Sequence, residues 1–183
     1  MESPLKERKQ PASVTIRQAS EPNDIDEVRK CFQVYTTWLD EDISFQNFDA
    51  EFQGLPGKYA PPSGALLLAL DSDTGAILGC VAMRPLQLEQ EYLSQRQPDV
   101  RLCEMKRLFV YPEARGRQVS RALVREVVKR AGDAGYDEIL LDTLGKMQAA
   151  INLYISEGFE ETSPYTFNSL EGAMFFTKKL KLA

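Results

Sequence analysis

The stretch Cys103-Glu-Met-Lys-Arg-Leu-Phe-Val110 decides the expected fold, and Tyr111-Pro-Glu-Ala-Arg-Gly-Arg-Gln-Val-Ser120 follows it directly. Apolar residues alternate along the first segment as in a β-strand, but the alternation slips by one residue at Lys106-Arg107. Such a slip predicts a β-bulge, and bulges gather near active sites. A buried strand with one exposed basic pair is the alternative interpretation.

A long amphipathic helix is predicted after the second segment. Apolar residues recur at near-helical spacing from Val119 to Val128, and the pattern stops near Gly132-Asp-Ala-Gly135. Free N–H groups and the positive end of the helix dipole attract anions. The arginine-rich loop that opens this helix therefore predicts an anion site, with pyrophosphate as the expected guest. A merely basic helix start is the alternative.

The composition is that of an ordinary globular protein, because 43% of the 183 residues are hydrophobic and 27% are charged. The absence of histidine excludes catalytic triads built on histidine and histidine-ligated metals. A net charge of −5 argues against a nucleic-acid partner. Cys31, Cys80 and Cys103 follow no metal or disulfide pattern and are expected to be small buried residues.

Turn signals divide the chain into a strand, two helices, three strands, a helix, a strand, a helix and two strands. This order predicts an α/β fold with helices on both faces of a mixed sheet. Residues 1–12 are polar and are expected to form a disordered tail. They lack the pattern of a signal or transit peptide, and the chain has no apolar run long enough to span a membrane, so a cytoplasmic location is expected, with nuclear access not excluded.

Four segments of the chain resemble the GNAT superfamily of acetyl-coenzyme A-dependent N-acetyltransferases. They are residues 104–110, the loop at residues 115–121, residues 138–143 and Ala150-Ile-Asn-Leu-Tyr-Ile-Ser-Glu-Gly-Phe159, which is the most specific. The resemblance covers about residues 13–181 and implies one N-acetyltransferase domain, residues 13–183, with a mostly antiparallel sheet of about seven strands. Residues 55–64 and 141–150 are similar to a small, mostly uncharacterised subgroup.

The resemblance also implies the residues that hold acetyl-CoA. Backbone groups near the bulge would meet the thioester and pantetheine, the loop would cradle the pyrophosphate, and one helical asparagine would reach the pantetheine. These residues are Leu108, Phe109, Val110, Arg115, Gly116, Arg117, Gln118, Val119, Ser120, Arg121 and Asn152. The loop departs from the family pattern at Gln118 and Ser120, where glycine or alanine is usual. We expect coenzyme binding to survive this change.

Two residues are implied in catalysis. Tyr154 matches the family tyrosine beside the coenzyme sulfur, and a phenol is a credible acid for a departing thiolate. Glu104 lies where relatives carry a carboxylate that draws the proton of the amine. The alternatives are a core tyrosine and a salt-bridged strand residue, the latter paired with Lys106.

Three residues are candidates for substrate binding. Arg84 ends an apolar strand and could clamp a substrate carboxylate, or serve as a structural ion-pair partner. Tyr165 and Asn168 lie in a loop that borders the acceptor site in similar proteins, and an ordinary proline-bearing turn is the alternative.

The sequence thus predicts acetyl transfer from acetyl-CoA to a primary amine of a small, amino-acid-like molecule by direct attack in a ternary complex. No metal, nucleic acid or membrane is expected as a partner, and the protein is expected to be a monomer or homodimer. A non-catalytic acyl-CoA sensor and a protein lysine or N-terminal acetyltransferase remain alternatives.

Overall fold

The computed structural model describes residues 13–20, 22–97 and 99–180. The first half contains β1 (Val14–Gln18), α1 (Pro22–Leu39), α2 (Phe48–Gln53), β2 (Ala65–Asp71), β3 (Ile77–Leu86) and β4 (Leu102–Val110). The second half contains α3 (Val119–Asp133), β5 (Glu138–Leu144), α4 (Gln148–Ser156), β6 (Glu160–Thr162) and β7 (Ala173–Lys179). The predicted order of elements is confirmed. The expected N-terminal tail lies outside the described residues, and the bounds of the domain stay a prediction.

The seven strands form one sheet in the order β1-β2-β3-β4-β5-β7-β6. Every neighbouring pair is antiparallel except β4 and β5, which are parallel. Pairing between these two covers residues 102–104 of β4 and 138–140 of β5. Both strands continue beyond this short ladder, so a cleft opens between them. The predicted mixed, mostly antiparallel sheet is confirmed.

Helices pack on both faces of the sheet, as predicted. The apolar stripe of α3 and part of α4 bury against one face, in a core that includes Leu123, Val127 and Ile151. The apolar side of α1 buries against the other face through Val28, Cys31 and Phe32, among others. Apolar burial of this kind supplies most of the stabilising free energy of such a layered fold. Among the described residues, no helix has both the length and the apolar character that crossing a membrane requires.

The predicted bulge in β4 is confirmed. Cys80 pairs with Phe109, but Ala82 pairs with Lys106, so β4 has one residue more than β3 across this interval. Arg107 takes up the extra length with a φ of 58°. The backbone is left-handed there, which costs a residue with a Cβ about 1–2 kcal/mol.

Gly79 fixes the approach of β3 to β4 just past the bulge. A Cβ at this position would lie 2.2 Å from the carbonyl oxygen of Phe109. The neighbour is backbone that is held in a ladder, so it has little freedom to move aside. A side chain of any size would push the two central strands apart.

We expect Gly79→Ala to lower the free energy of unfolding by about 2–3 kcal/mol through this clash. The matched control is Gly132→Ala in α3, where an added Cβ meets no atom within 4 Å. That change should stabilise the helix by about 0.5–1 kcal/mol. Urea denaturation of both variants measures the contrast, and equal effects would contradict the assigned contact.

Candidate active site

The cleft between β4 and β5 brings together residues from five parts of the chain. These five parts are α1 with the turn after it, the bulged part of β4, β5, α4 with the residue before it, and the loop before β7. Its lining includes Leu108, Asp142, Tyr154 and Asn168. Of the residues predicted for catalysis and binding, the fold therefore places three in one cavity.

Backbone donors of β4 face this cleft. Tyr111 donates its N–H to the carbonyl of Leu78 on β3. Successive residues of a strand point their N–H groups to opposite edges, so Val110 directs its N–H away from β3 and towards the cleft. Phe109, the residue before Val110, packs its side chain on the α1 face against Tyr35. The bulge thus leaves polar backbone on the open edge of β4, and the contact of residues 108–110 with the thioester and pantetheine stays a prediction.

Tyr154 reaches the cleft from α4 and is buried. Its ring packs against Phe159 and Phe176, with ring centroids 5.9 and 6.3 Å away. Burial raises the pKa of this phenol well above its usual value, and the charges of Tyr35 and Asp142 add to the effect. Tyr154 therefore keeps its proton at neutral pH, which is the state that a proton donor requires.

The loop before α3 and the start of that helix contain Gln118 and Ser120, the two residues that differ from the family pattern. Gly116 has a φ of 77°, and Gln118 has a φ of 62°. Gln118 thus adopts the left-handed conformation that glycine adopts most easily. Its side chain accepts a hydrogen bond from Arg121 Nε at 3.0 Å. Ser120 lies in the first turn of α3, and Val119 anchors that turn in the core.

Carboxylates already pair with two arginines of this loop. Arg117 Nη2 lies 2.6 Å from Asp71 Oδ2, and Arg121 pairs with Glu157. Arg115 instead stacks over the ring of Trp38 at 5.4 Å, and its own side chain is exposed. Backbone N–H groups and Arg115 are consequently the best-placed anion donors of the loop, and the cradle stays a prediction.

A row of alternating charges is buried on the α1 face of the sheet. Arg84 donates from Nε and Nη2 to Glu104 Oε2 at 2.9 and 2.8 Å. Lys106 Nζ lies 3.5 Å from Glu104 Oε1 and 2.9 Å from Asp142 Oδ1. The row runs across β3, β4 and β5, and its last pair spans the cleft where the strands have parted.

Charge pairing keeps Lys106 and Asp142 ionised. Burial disfavours the ammonium of Lys106, but Glu104 and Asp142 outweigh burial and raise its pKa. Burial likewise opposes ionisation of Asp142, but Lys106 and the amide of Asn168 lower its pKa. Two cations and two anions therefore share the site with no net charge.

The loop before β7 closes the row with two polar side chains. Tyr165 is fully buried and donates its hydroxyl to Glu104 Oε1 at 2.9 Å. Asn168 Nδ2 donates to Asp142 Oδ2 at 2.8 Å. Both predicted substrate residues thus hold carboxylates of the protein. Arg84 likewise binds Glu104, as in the alternative interpretation of Arg84 as a structural ion-pair partner. The side chain of Arg84 is nevertheless one-quarter exposed.

Glu104 is saturated with donors, because Arg84, Lys106 and Tyr165 all contact it. These donors occupy both oxygens of the carboxylate, Oε1 and Oε2. This geometry favours a positioning role, and the predicted base role stays a prediction. Asn152 lies exposed on α4 and does not line the cleft; its contact with pantetheine also stays a prediction.

Sequence reasoning missed the burial of Lys106 and Arg107. The alternative of an exposed basic pair is wrong, because both side chains are less than one-tenth exposed. Arg107 donates to Glu51 Oε1 at 2.8 Å and Oε2 at 3.2 Å, and to Gln46 Oε1 at 2.9 Å. The predicted bulge was the only signal in the sequence that concerned this arginine. It indicated that the strand bends there, but it did not indicate which residues the side chain would contact.

The pair Asp71–Arg117 predicts a pH-dependent contribution to stability. Hydrogen bonds from Arg117 and from the backbone of Thr74 lower the pKa of Asp71 to about 2, whereas an unfolded aspartate titrates near about 3.9. The stabilisation is complete above the unfolded pKa and is lost as the pH falls towards 2. The melting-temperature difference between wild type and Asp71→Asn should therefore shrink between pH 5 and pH 2. Asp73→Asn, in the same turn but exposed, is the control, and a constant difference for Asp71→Asn would refute the assignment.

Comparison with known proteins identifies relatives of this chain. A family model described as the Acetyltransferase (GNAT) family matches residues 25–159. An uncharacterised N-acetyltransferase of Schizosaccharomyces pombe is 35% identical over 165 residues, which cover 90% of this chain and 94% of that protein. An uncharacterised N-acetyltransferase of Dictyostelium discoideum is 32% identical, with coverage of 86% and 95%.

A solved structure shares the fold. The crystal structure of Arabidopsis thaliana NAA60 in complex with acetyl-CoA superposes with a TM-score of 0.66. It is 18% identical in sequence and covers 91% of this chain and 98% of its own. At this identity the likeness concerns the fold alone.

Proposed function

The chain belongs to the GNAT family of acetyltransferases, so it is an acetyl-CoA-dependent acyltransferase, and we propose that its acceptor is a primary amine of a compact small molecule. We further propose that the amine attacks directly within a ternary complex. The proposal is carried by one observation: the side chain of Tyr154 and the open edge of β4 line the same cleft.

The residues of the cleft and the loop fit acetyl-CoA. Left-handed backbone at Gly116 and Gln118 turns the chain into α3, whose first N–H groups have no partner within the helix. Such a turn suits a pyrophosphate. Val110 would hold the carbonyl oxygen of the thioester with its N–H, next to Leu108. Acetyl-CoA supplies an acetyl group activated as a thioester when it is bound.

Each step of transfer then has a candidate residue. The neutral amine forms a bond to the acetyl carbon as the bond from that carbon to sulfur breaks. Val110 stabilises the charge that develops on oxygen, and Tyr154 gives its proton to the departing sulfur. The buried row that contains Glu104 and Asp142 holds the β4 and β5 walls in place. The amine proton leaves through this row or through solvent.

Direct attack is favoured over an acyl-enzyme. Burial raises the pKa of the Cys103 thiol, and the charge of Glu104 raises it further. A thiol held in its protonated form is a poor nucleophile. Cys103 also lies in the apolar core that includes the buried face of α3, and it does not line the cleft.

The two alternatives predicted from the sequence have less support. The sensor hypothesis started from Gln118 and Ser120, but Gln118 takes the left-handed conformation that glycine adopts most easily, and Ser120 lies in the first turn of α3. A protein acetyltransferase was expected to carry a wide acidic groove. A second cavity lies next to the cleft, between residues 46–59 and Arg84. It is small, and its lining contains two cationic side chains, Lys58 and Arg84, and one carboxylate, Glu51.

The test of this proposal is Tyr154→Phe. We expect acetyl transfer to fall by about 10²-fold or more, since one proton donor is lost, with coenzyme affinity little changed. Calorimetry measures the affinity for acetyl-CoA, and thiol release measures turnover on a panel of amino acids, polyamines and lysine peptides. Tyr136→Phe, a buried tyrosine outside the cleft, is the matched control.

Unchanged turnover in Tyr154→Phe would remove the acid role of this residue. Binding of acetyl-CoA by the wild type without release on any acceptor would favour the sensor. Release on lysine peptides alone would favour the protein acetyltransferase.

A further inference from the structure

A second cavity lies beside the cleft, on the side of α2. It has a volume of about 300 Å³ and lies between residues 46–59 and the end of β3. Gln46 lines both the cavity and the cleft, so the two spaces are neighbours. A volume near the lower limit for ligand sites fits a compact metabolite.

Tyr59 contributes a buried hydroxyl to this cavity that lacks a partner. The residue is 2% exposed, and the hydroxyl makes no hydrogen bond within the described part of the chain. Burial raises the pKa of the phenol, and the Glu51 carboxylate raises it further by its charge and by a weak contact that is too long to count as a hydrogen bond. Both oxygens of Glu51, however, accept from Arg107. A buried polar group without a partner is costly, so a ligand that binds it gains affinity.

The cavity has an excess of positive charge. Arg107 neutralises Glu51, and Glu104 neutralises Arg84. Lys58 is exposed and forms no ion pair with any described residue. Arg84 uses Nε and Nη2 on Glu104 and makes no further hydrogen bond to the described residues. Its remaining nitrogen, Nη1, is free to bind an anion in the cavity.

We propose that this cavity binds the carboxylate of the acceptor, so that the substrate is a compact amine that also carries a carboxylate group. Tyr59 donates its hydroxyl to the carboxylate, Arg84 donates from Nη1, and Lys58 adds charge at the mouth. The amine end of the substrate then extends past Gln46 into the cleft, which is the proposed site of the thioester beside Tyr154 and β4. This inference rests on the proposed function and narrows it to one class of acceptor.

The test compares acceptors that differ only in the carboxylate. Glycine, β-alanine and 4-aminobutyrate are paired with n-alkylamines of similar length, and thiol release gives kcat and KM for each. We expect the wild type to prefer the carboxylated member of at least one pair by tenfold or more. Tyr59→Phe should reduce that preference about tenfold through KM, with kcat unchanged, because one hydrogen bond to a charged group is lost.

Stability separates this role from a structural one. Tyr59→Phe removes a hydroxyl that has no partner, so the melting temperature should stay the same or rise. The matched control, Tyr136→Phe, removes a hydroxyl that donates to the carbonyl of Ser63 at 2.7 Å. It should lower the melting temperature by about 2–4 °C and keep the acceptor preference.

Two outcomes would overturn the proposal: no preference for carboxylated amines in the wild type, or a preference that Tyr59→Phe retains. If neither series is acetylated, the proposed function fails. Binding of a carboxylate in the cavity is then tested separately, by the melting temperature of each protein with and without 4-aminobutyrate. A rise in melting temperature in the wild type but not in Tyr59→Phe would support a carboxylate site without transfer. No rise in either protein would refute it.

Discussion

The parallel ladder between β4 and β5 ends at Glu104 and Leu140, and the backbone beyond it must find other partners. Backbone N–H and C=O groups are rarely left unpaired inside a protein. On one edge of β4, β3 continues to supply partners, as the bond from Tyr111 to Leu78 shows. On the other edge the donors face a cleft, where we propose that the acyl oxygen binds. The parting of two strands thus makes the site.

The bulge links the two sides of that site. Arg107 is held in a left-handed conformation that costs about 1–2 kcal/mol, and such a conformation persists only where the surroundings fix it. Glu51 and Gln46 do so by binding its guanidinium group. As a result, β4, which lines the cleft, is tied to α2, the helix that borders the second cavity. One residue therefore positions the walls of both the cleft and the second cavity.

Much of this architecture could be predicted from local sequence. The order of elements, the bulge at Arg107 and the loop before α3 all leave signals within a few residues. The buried network left none that could be read, because its contacts join distant parts of the chain. Lys106 meets Asp142, and Arg107 meets Glu51 56 residues away. A basic pair in a strand is compatible with exposure or with burial, and only the tertiary partners decide between them. The unpartnered hydroxyl of Tyr59 is likewise a property of the packed cavity.

The alternating row Arg84–Glu104–Lys106–Asp142 has a consequence for how such a protein can evolve. Every member is held by a neighbour of opposite sign. Loss of any one of these side chains leaves a buried charge without its partner. This is far more destabilising than replacement of a whole pair by apolar residues. Substitutions in this row should therefore appear in pairs among descendants of a common ancestor, with Lys106 and Asp142 changing together.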